Sequence, residues 1–245
     1  MMKRRWLIAV AAFLLPMVVA VPPWAADATV AVDLNSAYVW RGITFNDSVV
    51  MQPSLDVQKG AFGLNVWGNL DLDDYGEAID SGEFSEVDIT LSYDIVLDPA
   101  IISIGYIEYL FPGVAGAEGT REVFVGAALD FTYGFSGGLD IYYDFDEVDT
   151  YYINAGVAYS TALSEGVGLE LGASAGYYGG NATADGDAGF FDYLLSVGIG
   201  YAFADDLNVS ASLHYTDAID SDKLPDGNGA QDVNVYGGIG IAYFF

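Results

Sequence analysis

The stretch EVDITLSYDIV, residues 86–96, alternates without a break. Val87, Ile89, Leu91, Tyr93 and Ile95 fall on one face; Glu86, Asp88, Thr90, Ser92 and Asp94 fall on the other. A period of two is the period of a β-strand with one apolar and one polar side. The pattern recurs in YYINAGVAYS, GLELGASAGY and LNVSASLHY. Counting such segments predicts about twelve strands. They fall near residues 29–41, 49–58, 61–71, 86–96, 100–111, 121–130, 137–145, 150–160, 167–178, 190–203, 207–216 and 232–245. The segment AIISIGYIEYLF is apolar on both faces, so its register is the least defined of the set. No helical stretch follows the first residues.

The connections sort into two kinds. KG, LDPA, FTYGFS, TALSEG and ADD are short; GITFNDS, DLDDYGEAIDSGEFS, PGVAGAEGT, DEVD, GGNATADGDAG and DAIDSDKLPDGNGAQ tend to be longer and more acidic. They alternate along the chain, which is the signature of an up-and-down meander with tight turns at one end and long loops at the other. Transmembrane barrels of the outer-membrane kind have this form, with short periplasmic turns. The fold expected is therefore an all-β, transmembrane, up-and-down antiparallel β-barrel of about twelve strands, with both termini at the short-turn end.

Composition sharpens this picture. Hydrophobic residues make up 53% of the 245-residue chain, yet Asp and Glu outnumber Lys and Arg 35 to 7, for a formal net charge of -28. Mean hydropathy is +0.32. An apolar but strongly acidic chain suits strands with opposed faces, and its charge repels the phosphates of nucleic acid. Cysteine is absent, which removes disulfides and thiol chemistry. At the N-terminus, MMKRR precedes an apolar run from Trp6 to Val21, and Ala26-Asp27-Ala28 fits a cleavage site. Residues 1–26 thus read as a secretory signal peptide and 27–245 as the barrel. Cleavage would leave Arg41, Lys59, Arg121 and Lys223 as the basic residues.

The chain closes on VNVYGGIGIAYFF. Chain ends of soluble domains are usually polar and frayed. Here Val233, Val235, Ile239, Ile241, Tyr243 and Phe245 share one face, as a last strand needs if it pairs with the first and faces lipid. A terminal Phe after alternating apolar residues resembles the signal read by bacterial barrel-assembly machinery, with Tyr243 and Phe245 as its aromatic part. The stretch NSAYVWRGITFNDSVVMQPSLDVQKGAFGLNVWGNLD, residues 35–71, also resembles a family of proteobacterial outer-membrane proteins of uncharacterised role, the Gcw-chp type. Ser36, Tyr38, Trp40, Arg41, Gly42, Ile43 and Thr44 carry the likeness, with Gln52, Pro53 and Trp67 after them. The resemblance implies an outer-membrane location and contact with lipid and lipopolysaccharide. It implies no activity.

Parity assigns the faces. Val32, Leu34, Tyr38 and Trp40 are expected on the lipid side, with Tyr38 and Trp40 in the outer aromatic belt. Asp33, Asn35 and Arg41 are expected inside, as are Asp56, Asp88, Asp140 and Glu170 near mid-strand. Arg41 can fork to carboxylates on neighbouring strands as a structural pair, or tune a pore. Small inward residues such as Gly126, Gly172, Gly198, Gly238 and Gly240 are expected to leave room for water. Three function classes follow: a passive, cation-preferring, porin-like channel for small cations or solutes; a structural or surface-interaction barrel with a plugged lumen; and a remote third, a hydrolase built on Ser212 and His214 with Asn234 or Asp232 as orienting partner. No cofactor is expected. The acidic loops at 71–77, 185–189 and 220–229 are oxygen-rich but lack the spacing of a calcium loop, so no metal is assigned.

Overall fold

In a computed structural model, residues 26–73, 80–114, 116–227 and 230–245 are described. The expected leader, residues 1–26, falls almost wholly outside these residues, as do parts of the acidic loops at 71–77 and 220–229. The elements in chain order are β1 (Asp27–Asn35), β2 (Tyr38–Trp40), β3 (Ile43–Asn46), β4 (Val50–Lys59), β5 (Phe62–Asp71), β6 (Phe84–Leu97) and β7 (Ala100–Leu110). Then come β8 (Thr120–Asp130), β9 (Phe135–Asp144), β10 (Thr150–Ser164), β11 (Val167–Tyr178), β12 (Gly189–Ala204), β13 (Leu207–Ala218) and β14 (Val235–Phe244). All but β2 and β3 join one closed, antiparallel barrel in the order β1-β14-β13-β12-β11-β10-β9-β8-β7-β6-β5-β4.

The seam is built from the two ends of the chain. β1 pairs with β14 from Thr29 against Phe244 to Asn35 against Gly238. Its other edge pairs with β4, from Asp27 against Gln58 to Asn35 against Val50. Phe245 adds one bond past the strand, its N–H donating to the Ala28 carbonyl at 2.9 Å. Closure leaves no unpaired strand edge, which is what a sheet in hydrocarbon requires.

Alternation sets the two surfaces. Outward residues such as Leu91, Ile104, Val125, Leu195 and Ile239 are exposed and form an apolar belt; Ile239 is 61% exposed. Inward Asn69 on β5 is 0% exposed. In β7, the segment with the ambiguous pattern, Ile104 and Leu110 face out while Ile107 and Tyr109 are buried inside. The apolar inward pair has a partner within the barrel, as described below.

Two corrections concern the strand ends. The first strand does not run on to residue 41: β1 stops at Asn35, and Tyr38–Trp40 pairs instead with Ile43–Asn46 in a separate hairpin. Parity continued across Ser36 and Ala37, but the chain leaves the wall there. Tyr38 and Trp40 accordingly do not face lipid. The last strand likewise starts at Val235, because Val233 donates its N–H to the Thr44 hydroxyl at 3.0 Å.

Removing Phe245 deletes a seam hydrogen bond and the ring packed edge-on against Tyr243 at 4.8 Å. The expected outcome is a several-fold drop in folded yield at unchanged synthesis, read as the heat-modifiable band on a gel. An unchanged yield would remove the last residue from the account of closure.

Candidate functional site at the barrel mouth

After Asn35 the chain is pinned to the wall and then turned inward. Ser36 exchanges two bonds with Gly237, N–H to carbonyl at 2.9 Å and Gly237 N–H to the Ser36 hydroxyl at 3.1 Å. The β2–β3 hairpin turns at Arg41 and Gly42, whose φ values are +50° and +77°. Positive φ at both central residues suits a two-residue turn between twisted strands. Glycine adopts it freely; for arginine such a backbone costs about 1–3 kcal/mol and persists only when its surroundings over-determine it. Gly42 has a second reason to be glycine: a Cβ there would stand 2.6 Å from Asp192 Cβ and 2.9 Å from Leu224 Cδ2.

Arg41 is over-determined by the opposite wall. Its Nη1 donates to Glu122 Oε1 and its Nη2 to Glu122 Oε2, both at 2.7 Å, and Nη1 also donates to the Tyr178 hydroxyl at 3.1 Å. The guanidinium carbon lies 4.0 Å from the ring centre of Trp40, 4.7 Å from Tyr142, 4.4 Å from Tyr152 and 5.7 Å from Tyr178. Tyr109 completes the cage by donating its hydroxyl to Glu122 Oε2 at 2.8 Å. Apart from Trp40, which is on the hairpin itself, these groups belong to β7, β8, β9, β10 and β11, about halfway round the ring from β1. The hairpin therefore crosses the lumen. Arg41 and Glu122 side chains are 7% and 5% exposed, so the pair is desolvated, planar and bidentate.

The rest of the hairpin is tied in on every side. Tyr38 donates its hydroxyl to Glu86 Oε2 at 2.8 Å and packs on Phe45 and Trp67. Trp40 meets Tyr109 edge-on at 5.9 Å, which accounts for the apolar inward end of β7. Asn46 donates to Asp71. Thr44, 2% exposed, donates its N–H to the Ala230 carbonyl and accepts from Asp232 and Val233. Leu224 sits 2% exposed in a cluster with Tyr152, Tyr178 and Phe191. Lys223 ties its loop to the next one by donating to Asp185 Oδ2 at 2.8 Å. That bond holds the Asp185 carboxyl below the usual range and raises the Lys223 ammonium. Hairpin and final loop together fill the long-loop end of the barrel.

Arg41 thus sits at a turn within the lumen rather than on the wall. Asp56, Asp88, Asp140 and Glu170 lie on β4, β6, β9 and β11 and do not converge. Asp56 accepts from Asn65 at 2.8 Å; one oxygen of Asp88 has no partner. Asp140 leans over Gly126, where a Cβ would stand 2.3 Å from its Oδ1. Asp33 leans over Gly240 and Asn35 over Gly238 in the same way. The inward glycines do not simply leave water-filled gaps; at these positions a neighbour's polar side chain lies flat in the space. Tyr243 and Phe245 are both exposed on the outer surface near the short-turn end.

Ser212 and His214 share a face of β13, and no hydrogen bond joins them among the described residues. His214 stacks on Tyr236 at 4.8 Å, and its Nδ1 has no partner. Asn234 donates its side-chain amide to the Thr216 carbonyl and Asp232 its backbone N–H to the Thr44 hydroxyl, and among the described residues neither is hydrogen-bonded to the imidazole. Asp185 is engaged by Lys223, and among the described residues no group of three His, Asp or Glu side chains could hold a metal ion. Alternation alone does not single out Glu122 and its tyrosines. Their signal was an inward tyrosine at the same end of β7, β9, β10 and β11, most visibly Tyr152 on the polar side of its strand.

A closed twelve-stranded barrel, apolar outside and polar within, with a hairpin folded into one mouth, defines a porin-like outer-membrane barrel. The chain belongs to the family described as bacterial protein of unknown function, Gcw_chp, which it matches over residues 20–235. It is similar in fold to the KdgM porin solved in complex with disordered oligogalacturonate: TM-score 0.57, 10% identity, covering 89% of this chain and 99% of that one. The NanC porin is similar at TM-score 0.53 and 12% identity, covering 90% and 100%. An outer membrane channel from Pseudomonas putida F1 is similar at TM-score 0.52 and 12% identity, covering 92% and 97%. No curated protein matches the sequence.

Glu122→Gln keeps the shape of the cage and removes the charge that holds Arg41. Breaking one side of a buried pair costs about 3–5 kcal/mol, enough to undock a short hairpin. Trypsin is expected to cut after Arg41 at least several-fold faster in the refolded variant than in the parent barrel. Equal rates would mean that aromatic packing alone holds the hairpin.

Proposed function

We propose that this protein is a cation-preferring, porin-like channel of the outer membrane whose external mouth is gated by the Arg41 hairpin. The observation that carries the reading is the charge of the inner wall. Asp33, Asp56, Asp140 and Glu170 have no ion-pair partner among the described residues, and the inward-reaching Arg41 is consumed by Glu122. Several unpaired carboxylates cannot be kept ionised in a dry interior, because each costs several kcal/mol to bury. Either the groups are protonated or water and cations reach them; on the second course, which this proposal takes, a lumen of one sign concentrates the opposite ion.

The same charge argues against carrying over the ligand of the KdgM porin, since oligogalacturonate is itself a polyanion. On this reading the chain crosses the inner membrane by its N-terminal leader, is inserted by the barrel-assembly machinery through its last strand, and sits with its long loops towards lipopolysaccharide. The hairpin favours a second reading, a structural or surface-interaction barrel with a permanent plug. The two differ in whether the hairpin ever leaves.

Reversal potentials in planar bilayers under a salt gradient test the proposal. Cation selectivity is expected, and Asp88→Asn with Asp140→Asn is expected to lower the permeability ratio several-fold. Glu122→Gln is expected to raise the fraction of time spent open. Anion preference, or no conductance from either the parent or the Glu122→Gln barrel, would leave the permanently plugged barrel as the account.

A further inference from the structure

Most of the cage around Arg41 is a property of the wall rather than of the hairpin. Glu122, Tyr109, Tyr142, Tyr152 and Tyr178 stand on four consecutive barrel strands and the one before them, and each is fixed by its strand. Glu122 offers two oxygens in the plane of a fork, already oriented by the Tyr109 hydroxyl. Tyr152 and Tyr142 offer ring faces within 4.7 Å of the cation, and the Tyr178 hydroxyl accepts a further N–H. A carboxylate fork combined with aromatic faces selects a planar guanidinium over a compact ammonium, which can stack but cannot fork.

We propose that this wall site binds guanidinium-bearing organic solutes, and that Arg41 is its tethered occupant. A solute of that class competes with Arg41 for Glu122; when it wins, the hairpin loses the contact that holds its strained turn in the lumen. The site is then both a recognition point for the solute and the latch of the plug. The idea rests on the channel reading only for the route by which a solute arrives.

The strained backbone supports exchange rather than permanent packing. Arg41 is held in a left-handed conformation by contacts at its far end, so the turn relaxes when those contacts are given to another molecule. Trp40 reports the event, since its ring lies 4.0 Å from the guanidinium carbon.

The test uses the refolded chain begun at Asp27, whose tryptophans are Trp40 and Trp67. Methylguanidinium chloride is the probe, methylammonium chloride at equal ionic strength the comparison. In Arg41→Gly, which keeps a compatible turn, calorimetry is expected to show saturable binding of methylguanidinium, and adding Glu122→Gln is expected to weaken it by about tenfold or more. In the parent, the tethered arginine competes, so saturation shifts to at least about tenfold higher probe concentration, followed as Trp40 emission in a Trp67→Phe background. If Arg41→Gly does not refold, Arg41→Lys serves: its ammonium cannot fork, so the probe should displace it at lower concentration than it displaces Arg41.

No saturable binding in either folded variant, equal binding of methylammonium, or no Trp40 response in the parent at any concentration would overturn the proposal and leave Arg41 a structural pair. Calorimetry needs no conductance. A barrel that binds the probe yet never conducts keeps the site and loses the channel; one that conducts cations without binding the probe does the reverse.

Discussion

The pairing of the first strand with the last is the constraint on which everything else hangs. Hydrocarbon offers no partner to a backbone N–H or carbonyl, so a sheet in that medium must have no edge. The β1–β14 seam satisfies this with a run of paired residues from Thr29–Phe244 to Asn35–Gly238. Once the ring is closed, alternation has only one consequence left: every second residue meets lipid and every other one meets the interior. The acidity of the protein and its apolar content stop being in conflict, because the acids lie in the loops and on the inner face while the apolar side chains cover the outer face.

The interior then has to solve its own problem. Twelve strands enclose more space than wall side chains alone fill, and the mouth would stand open. Segments on both sides of the seam are used to close it. The hairpin after β1 and the loop before β14 lie side by side, joined through Thr44, and Leu224 packs behind Gly42. The hairpin reaches the far wall with a single cation. Held by a buried fork and stacked rings, that cation binds two opposite sectors of the barrel, so the hairpin is anchored at its root by hydrogen bonds and at its tip by charge.

The barrel itself was legible because its rule is local: the run from Glu86 to Val96 announces a strand without reference to anything distant. The hairpin was not, and the reason is instructive. Tyr38, Val39 and Trp40 keep the parity of Val32 and Leu34, so periodicity carries the first strand straight past Asn35. The departure depends on Ser36 meeting Gly237 and on Arg41 meeting Glu122, contacts between residues far apart in the chain. The pair Arg41-Gly42 between apolar flanks was a weak turn signal, since the stronger ones carry Asn or Asp before the glycine. Parity marks Arg41 as an inward cation able to fork but does not name its partner. Parity alone places Asp56, Asp88, Asp140 and Glu170 on the inner face, and it says nothing about convergence.

Asp140 lies flat because Gly126 beside it has no side chain, and Asp33 lies flat because of Gly240. The distance of each carboxylate from the barrel axis is therefore set by a neighbouring residue that has neither charge nor bulk. Replacing such a glycine would leave the formal charge of the lumen untouched while swinging a carboxylate off the wall and towards the axis. The placement of these charges is in this sense written on adjacent strands, in pairs of which only one member is ionisable.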